Sequence, residues 1–483
     1  MLRVNNLNRS IKYFCQLLLI ATALVCVPRT SFGQEIVSCP ASAPDVPATT
    51  ISPQMPNDAC IPTGFPGNPI DYFDDYSWRA FLALVWPAAE GARGQPDTNA
   101  QLGKADTPLV FETFKSEWEI FQRDGAVPAD WGEMGGENPC GATGLTHKDL
   151  VLAAFSKFAN VGQAGFGELV GPLVAQNQSY VRFQTAFNRT EFEGIQARQL
   201  YLRSNLSNVV FDSGAIDIKA SWVLMDGVSD PQRFYTRHAL VMNLETDSCE
   251  DKLVGLVGLH IVHKTPSRPQ WIWSTFEHID NVPSADSMGH ALSFNAANGV
   301  AMPDENPFRF PPAPQAPAPF NVERVKPAHA QTDATNKRYR QALSAMGSVW
   351  QNYQLVMTQW PLIPNRPDIN GKPQNTFPGQ GTDGTSFANT TLETFEQGRI
   401  ATGCMNCHNP VQTSSDFVWT LTTRAWPPLI AIVNTQPISP GTLAIQSVDP
   451  EVFTDSDAPL APFELPAAQL NELLELKQLL QAK

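Results

Sequence analysis

The sequence has few basic residues. Beyond its first 33 residues it also has no long apolar run. Among its 483 residues, 33 are Lys or Arg and 47 are Asp or Glu, which gives a formal net charge of −14. A chain this acidic lacks the positive surface that nucleic acids require, so a nucleic-acid partner is excluded. After the N-terminal segment no stretch reaches about 18 apolar residues, so we expect no stable membrane span there. Hydrophobic residues still make up 42% of the chain, which is enough to build a core.

The first 33 residues have the three parts of a bacterial export signal. A basic start is followed by an apolar run over residues 14–27 and by small residues that end at Gly33. The sequence therefore predicts a signal peptide over residues 1–33 and a periplasmic location. An uncleaved membrane anchor and full secretion are the alternatives.

The eight cysteines divide into three groups. Two lie in the predicted signal and two in a motif near the C-terminus. The other four are an even number in an oxidising compartment, which predicts two disulfides and allows three pairings. We favour Cys39 with Cys60 and Cys140 with Cys249. Four free buried thiols are the alternative.

The apolar pattern predicts a first domain over residues 34–302. Residues 71–122 have helical spacing, and apolar or alternating runs bounded by turn residues follow. We predict strands over 216–225, 234–244, 253–263 and 271–278, paired as an antiparallel sheet.

Residues 303–328 contain eight prolines and predict a stiff linker. The apolar pattern of the remaining residues, 329–483, predicts only helices. They include one helix over 336–360 and a closing helix over 467–483. The predicted fold class is α+β: an N-terminal domain of helices plus antiparallel β-sheet, then an all-α C-terminal domain.

The clearest motif is C-x-x-C-H at residues 404–408, the attachment sequence of c-type haem. Two thiols on one short turn, Cys404 and Cys407, add to the two vinyl groups of one porphyrin. His408 then follows in position to bind the iron as proximal ligand. Export supports this interpretation, because c-type haem is attached outside the bacterial cytoplasm. A zinc site would need a second ligand pair nearby, and a thiol redox pair would not need His408.

We therefore predict one covalent haem c in the C-terminal domain. A short helix running into the motif and a closing helix resemble the class I cytochrome c fold. Those cytochromes take their sixth iron ligand from downstream of the motif. This chain has no Met, His or Tyr after His408, so the iron is either five-coordinate or bound from upstream.

Three upstream residues are candidates for the sixth ligand: His263, His278 and Met357. The two histidines lie near predicted strand ends, where a second domain could dock. Met357 lies on the apolar stripe of the predicted helix, where a core role is the alternative. His260 and His263 stand three residues apart, and on a strand such residues point to opposite faces. They do not predict a shared metal.

Several phrases resemble a group of exported bacterial proteins identified only as cytochrome c family proteins. The phrases are YSWRAFLALVWP at 76–87, GLHIVHK at 258–264, WSTFEH at 273–278, YQLVMTQWP at 353–361, and CMNCH at 404–408 followed by SDF at 415–417. The resemblance covers most of the chain after the signal. The resemblance implies no substrate. It assigns a role only to Cys404, Cys407 and His408.

Two functions stay open. The first is a periplasmic mono-haem c-type cytochrome that exchanges electrons with a redox partner protein, whose docking face we expect to be basic. The second is a haem-dependent oxidoreductase or small-ligand sensor with an open or displaceable sixth iron position. A di-haem peroxidase is excluded, because the chain has a single C-x-x-C-H.

Overall fold

A curled, mixed β-sheet of eight strands organises the part of the chain that the structure describes. The structure is a computed structural model, and it describes residues 47–59, 61, 69–103, 108–154, 161, 163–164, 172–244, 246, 248–287, 289–296, 319–361, 387–397 and 403–428. The strands are β1 (Lys115–Ser116), β2 (Leu150–Leu152), β3 (Arg182–Phe187), β4 (Ile216–Leu224), β5 (Thr236–Met242), β6 (Cys249–Thr265), β7 (Arg268–His278) and β8 (Tyr353–Gln359). The predicted signal peptide, the closing helix and most of the proline linker lie outside the described residues.

The long strand β6 is the centre of this sheet. On one side it pairs with β4, and on the other it pairs first with β5 and then with β7. The strand order is β1-β3-β4-β6-β5-β2, and β7 and β8 extend it beside the second half of β6. Among the described strands β2 and β5 run parallel, so the sheet is mixed rather than antiparallel throughout. The four strands predicted from the sequence are confirmed as β4 to β7.

Helices cover both faces of the sheet. They are α1 (Ile70–Leu84), α2 (Glu117–Ile120), α3 (Arg189–Ala197), α4 (Ala330–Ala345), α5 (Cys404–His408), α6 (Gln412–Ser415) and α7 (Trp419–Arg424). No described helix is long and apolar enough to cross a membrane.

One face of the sheet, which we call the core face, packs against α1 and α4. Trp78 of α1 stacks on Tyr339 of α4 with ring centroids 5.0 Å apart. Phe81 of α1 stacks on Phe276 of β7 at 4.3 Å. These rings belong to one buried cluster with apolar residues of β4 and β6. The apolar run of α1 is therefore explained by burial against this face.

The opposite face, which we call the motif face, packs against α3 and α5 to α7. Val262 of β6 and Trp273 of β7 point to this side and share a buried cluster with Met405 of α5 and Leu421 of α7. The C-terminal helices thus lie on the sheet itself.

The prediction of an all-α C-terminal domain is wrong. Residues Tyr353–Gln359 form β8, which pairs antiparallel with β7. The predicted helix over 336–360 ends at Ala345, and residues 403–428 form only short helices. The reason lies at Gly347, whose φ of +64° is the left-handed conformation that ends helices. The apolar run after it is free to pair with the edge of β7.

A disulfide joins Cys140 to Cys249 across 109 residues of sequence, with Cα atoms 5.4 Å apart. It ties a surface loop to the first residue of β6. This is one of the two pairs that the sequence favours. The other pair, Cys39 with Cys60, lies outside the described residues.

Candidate functional site

The C-x-x-C-H motif forms the short helix α5 on the motif face. The backbone N–H of Met405 donates a hydrogen bond to Oε1 of Gln359 in β8, at 3.2 Å. The Met405 side chain is buried in the cluster that includes Phe417. The indole N–H of Trp419 donates to the carbonyl oxygen of Cys407 at 3.0 Å. The sheet and α7 therefore hold the motif backbone from two sides.

The ring of His408 has a defined tautomer. Its Nδ1 lies 2.6 Å from the carbonyl oxygen of Phe417. A carbonyl can only accept a hydrogen bond, so Nδ1 carries the proton and Nε2 keeps its lone pair. Burial lowers the pKa of His408 to about 4, so the ring is neutral at pH 7. Trp273 of β7 packs against it with ring centroids 4.6 Å apart.

The turn that carries the Phe417 carbonyl is held in place by a buried ion pair of the neighbouring residue, Asp416. Asp416 and Phe417 both have left-handed backbone, with φ of +52° and +74°. The Asp416 carboxylate lies 2.6 Å from Nζ of Lys264 on β6 and accepts the backbone N–H of Phe211 at 2.7 Å. Lys264 and Asp416 are both buried. The turn after the motif is thus pinned to the central strand.

The two motif thiols are free and partly buried. Burial raises the pKa of Cys404 well above its ordinary value. Burial also raises the pKa of Cys407 to about 12, with the nearby carboxylates of Glu396 and Glu393 adding to the effect. Both groups are therefore neutral thiols at pH 7.

A row of side chains, most of them polar, crosses the motif face beside α5. Strand register aligns Lys219 of β4 with His260 of β6, His260 with Thr275 of β7, and Thr275 with Met357 of β8. Directly paired residues of antiparallel strands point to the same face. Lys219 is half-buried, and desolvation lowers its pKa while Glu393 and Cys407 act in the opposite direction.

The segment 387–397 lies across this row and contacts it through charged and amide groups. The Glu393 carboxylate forms a short hydrogen bond with Nε2 of His260 and accepts the backbone N–H of Asn389 at 2.7 Å. The Asn389 amide donates to Oγ1 of Thr275 at 2.9 Å. Burial raises the pKa of Glu393, but His260 and the other donors outweigh it, so the net shift is downward. Glu393 is therefore ionised at neutral pH.

Of the three predicted sixth ligands, one lies on the motif face. His263 points to the core face, where Nδ1 forms a short hydrogen bond with the hydroxyl of Tyr76. His278 is buried at the end of β7, stacked on Phe234, with Nε2 3.0 Å from the carbonyl oxygen of Arg233. Burial lowers the pKa of both histidines to about 4. Met357 is on the motif face, but on β8 rather than on the predicted helix.

Sequence reasoning did not single out Lys219, His260 and Glu393 as one group. The sequence drew attention to His260 only as one member of an H-x-x-H pair with His263. The strand period separates His260 from His263 correctly, because the two contact opposite faces. The period does not say which face receives the motif helix. A signal for Glu393 existed in its position shortly before the motif, but its partner is 133 residues away.

Within the described ranges, no group of three or more His, Cys, Asp or Glu side chains is arranged to hold a metal ion. Comparison with protein-family models, with curated proteins and with solved structures finds no match for this chain.

Proposed function

We propose that this protein is an exported c-type cytochrome that transfers electrons through one haem bound covalently at Cys404 and Cys407. The observation that carries the proposal is the arrangement of side chains on α5. Two free thiols and a histidine lie on one helical turn, and Nδ1 of His408 is committed to the carbonyl of Phe417. Histidines that bind metals regularly donate their other ring N–H to such a carbonyl.

The residues around α5 suit a covalently attached porphyrin. When bound, haem supplies a reversible one-electron couple at its iron. Cys404 and Cys407 would hold the porphyrin through thioethers, and Nε2 of His408 would bind the iron. Trp273 restricts the ring of His408, and Met405 anchors the helix. The protein thus contributes a histidine ligand, His408, whose tautomer is already fixed. The backbone of α5, which carries this histidine, is held against the sheet.

The acidity of the chain supports an electron carrier that docks on a partner protein. A net charge of −14 favours association with a basic docking face through long-range attraction. We therefore expect the rate of electron exchange to fall as ionic strength rises.

A haem-dependent oxidoreductase or small-ligand sensor is the second candidate, and one observation favours it. His263 and His278, two of the predicted sixth ligands, are buried in contacts away from α5. Carbon monoxide separates the two candidates, because a firmly bound sixth ligand blocks it and an open or displaceable position admits it.

The test is expression of the full chain in bacteria that attach c-type haem. The expected result is one haem per chain that survives denaturation, measured by haem-stained gels, intact mass and the pyridine haemochrome spectrum. Cys404→Ser and Cys407→Ser each remove one thioether, and the double variant loses covalent haem. The matched control, Cys140→Ser with Cys249→Ser, removes two cysteines distant in sequence and keeps the haem. An unmodified wild-type chain would refute the proposal.

A further inference from the structure

The motif helix lies beside two adjacent rows of side chains on the motif face. It is anchored to the row that contains Trp273 and Gln359, through the ring of His408 and the backbone of Met405. The next row on the same face lies two residues along each strand, which is about 7 Å.

That next row contains two donors that could bind iron, His260 of β6 and Met357 of β8. Thr275 of β7 stands between them in register. His260 lies two residues before Val262 on β6, and Val262 pairs with Trp273, whose ring contacts that of His408. Met357 is buried on β8, the strand beyond Thr275.

The ring of His260 is set up as a ligand in the same way as that of His408. Its Nε2 forms a short hydrogen bond with the carboxylate of Glu393. An ionised carboxylate only accepts, so in the neutral ring Nε2 carries the proton and Nδ1 keeps its lone pair. A carboxylate behind a histidine fixes the ring and raises the basicity of the nitrogen that binds metal. Glu393 is itself fixed by the backbone N–H of Asn389.

We propose that His260 supplies the sixth ligand to the haem iron and that Glu393 positions its ring. This inference rests on the proposed function, because it concerns a haem held by His408. His263, three residues further along β6, is on the core face against Tyr76. The alternation of the strand therefore selects one histidine of the H-x-x-H pair for the iron and the other for the core.

The test uses the full chain loaded with haem, and haem content is measured first by the pyridine haemochrome spectrum. Wild type is expected to be low-spin, with the electron paramagnetic resonance and near-infrared bands of two histidine ligands. His260→Ala is expected to keep its haem, become high-spin and bind carbon monoxide, and added imidazole should restore the low-spin spectrum. The matched control is His238→Ala, at an exposed histidine of β5 whose loss should leave the spectrum unchanged.

Two further variants keep the test decisive if His260→Ala folds poorly. His260→Met should remain low-spin and gain a methionine-to-iron charge-transfer band. Glu393→Gln should keep the two-histidine spectrum and raise the reduction potential, because it removes a negative charge from beside the ligand. A high-spin wild type, a low-spin spectrum that His260→Ala leaves intact, or a methionine band that Met357→Leu abolishes would overturn the assignment. If the wild type carries no haem, the proposed function itself fails.

Discussion

The buried ion pair between Lys264 and Asp416 predicts a large loss of stability when either charge is removed alone. Nζ and Oδ2 are 2.6 Å apart, and the side chains are 5% and 7% exposed. Lys264→Met keeps the aliphatic stem and leaves the carboxylate buried without its cation. Breaking one half of a buried pair costs about 3–5 kcal/mol in the free energy of unfolding. We expect a loss in this range, measured by urea unfolding followed by tryptophan fluorescence at pH 7.

A double-mutant cycle isolates the interaction. Asp416→Asn suits the left-handed backbone at this position, since Asn tolerates a φ of +52°. Alone it leaves the Lys264 ammonium buried and unpaired. The double variant leaves no buried charge at the pair, so its cost should fall short of the summed single costs by about 1–3 kcal/mol.

The control is an exposed pair. Arg189 and Glu193 form an i,i+4 pair on α3 with side chains 66% and 52% exposed. Glu193→Gln should cost no more than about 0.5 kcal/mol. The reasoning is refuted if Lys264→Met costs as little as this control, or if the two single costs add without coupling.

Three further predictions concern the sheet and its disulfide. Gly258→Ala should cost about 1–3 kcal/mol in unfolding free energy, because a Cβ there would lie 2.3 Å from Oγ1 of Thr391. Asp217→Asn should flatten the pH dependence of stability, since burial raises the Asp217 pKa to about 8. Between about pH 4 and pH 8 the folded state holds a proton that the unfolded state has lost, so wild-type stability falls by about 1.4 kcal/mol per pH unit from this group. Replacing Cys140 and Cys249 by Ser should lower stability by about 2–5 kcal/mol, measured by urea unfolding.

Each of these predictions has a matched control. Gly132→Ala adds a Cβ with nothing within 4 Å and should leave stability unchanged. Asp251→Asn alters an aspartate that is 66% exposed and should keep the wild-type pH slope. A reducing agent should destabilise wild type more than the Cys140→Ser, Cys249→Ser variant. A wild-type stability that stays level or rises from pH 5 to pH 8, with no difference in Asp217→Asn, would contradict the buried-proton argument.

The strands and the motif could be predicted because their signals are local. Each of β4 to β7 is a run of strand-forming residues bounded by turn residues, and C-x-x-C-H is contiguous. The C-terminal helices could not be assigned to the sheet in this way. The apolar residues Tyr339, Leu343, Trp350 and Tyr353 fit a helical period across the break at Gly347, so periodicity alone favoured one long helix. β8 forms because it pairs with the free edge of β7. That edge is distant in sequence, so the local pattern around β8 does not indicate it.

The choice between His260 and His263 shows how register determines the chemistry of the site. Successive residues of a strand alternate between faces, so a slip of one residue between β6 and its neighbours would exchange the two histidines. Two distant contacts prevent that exchange. Tyr76 holds His263 on the core face, and Glu393 holds His260 on the motif face. A partner 187 residues before one histidine and another 133 residues after the other thus set which imidazole lies beside the motif helix. Moving the Glu393 segment alone would loosen the His260 ring but leave His263 in place, because the two contacts are on opposite sides of the sheet.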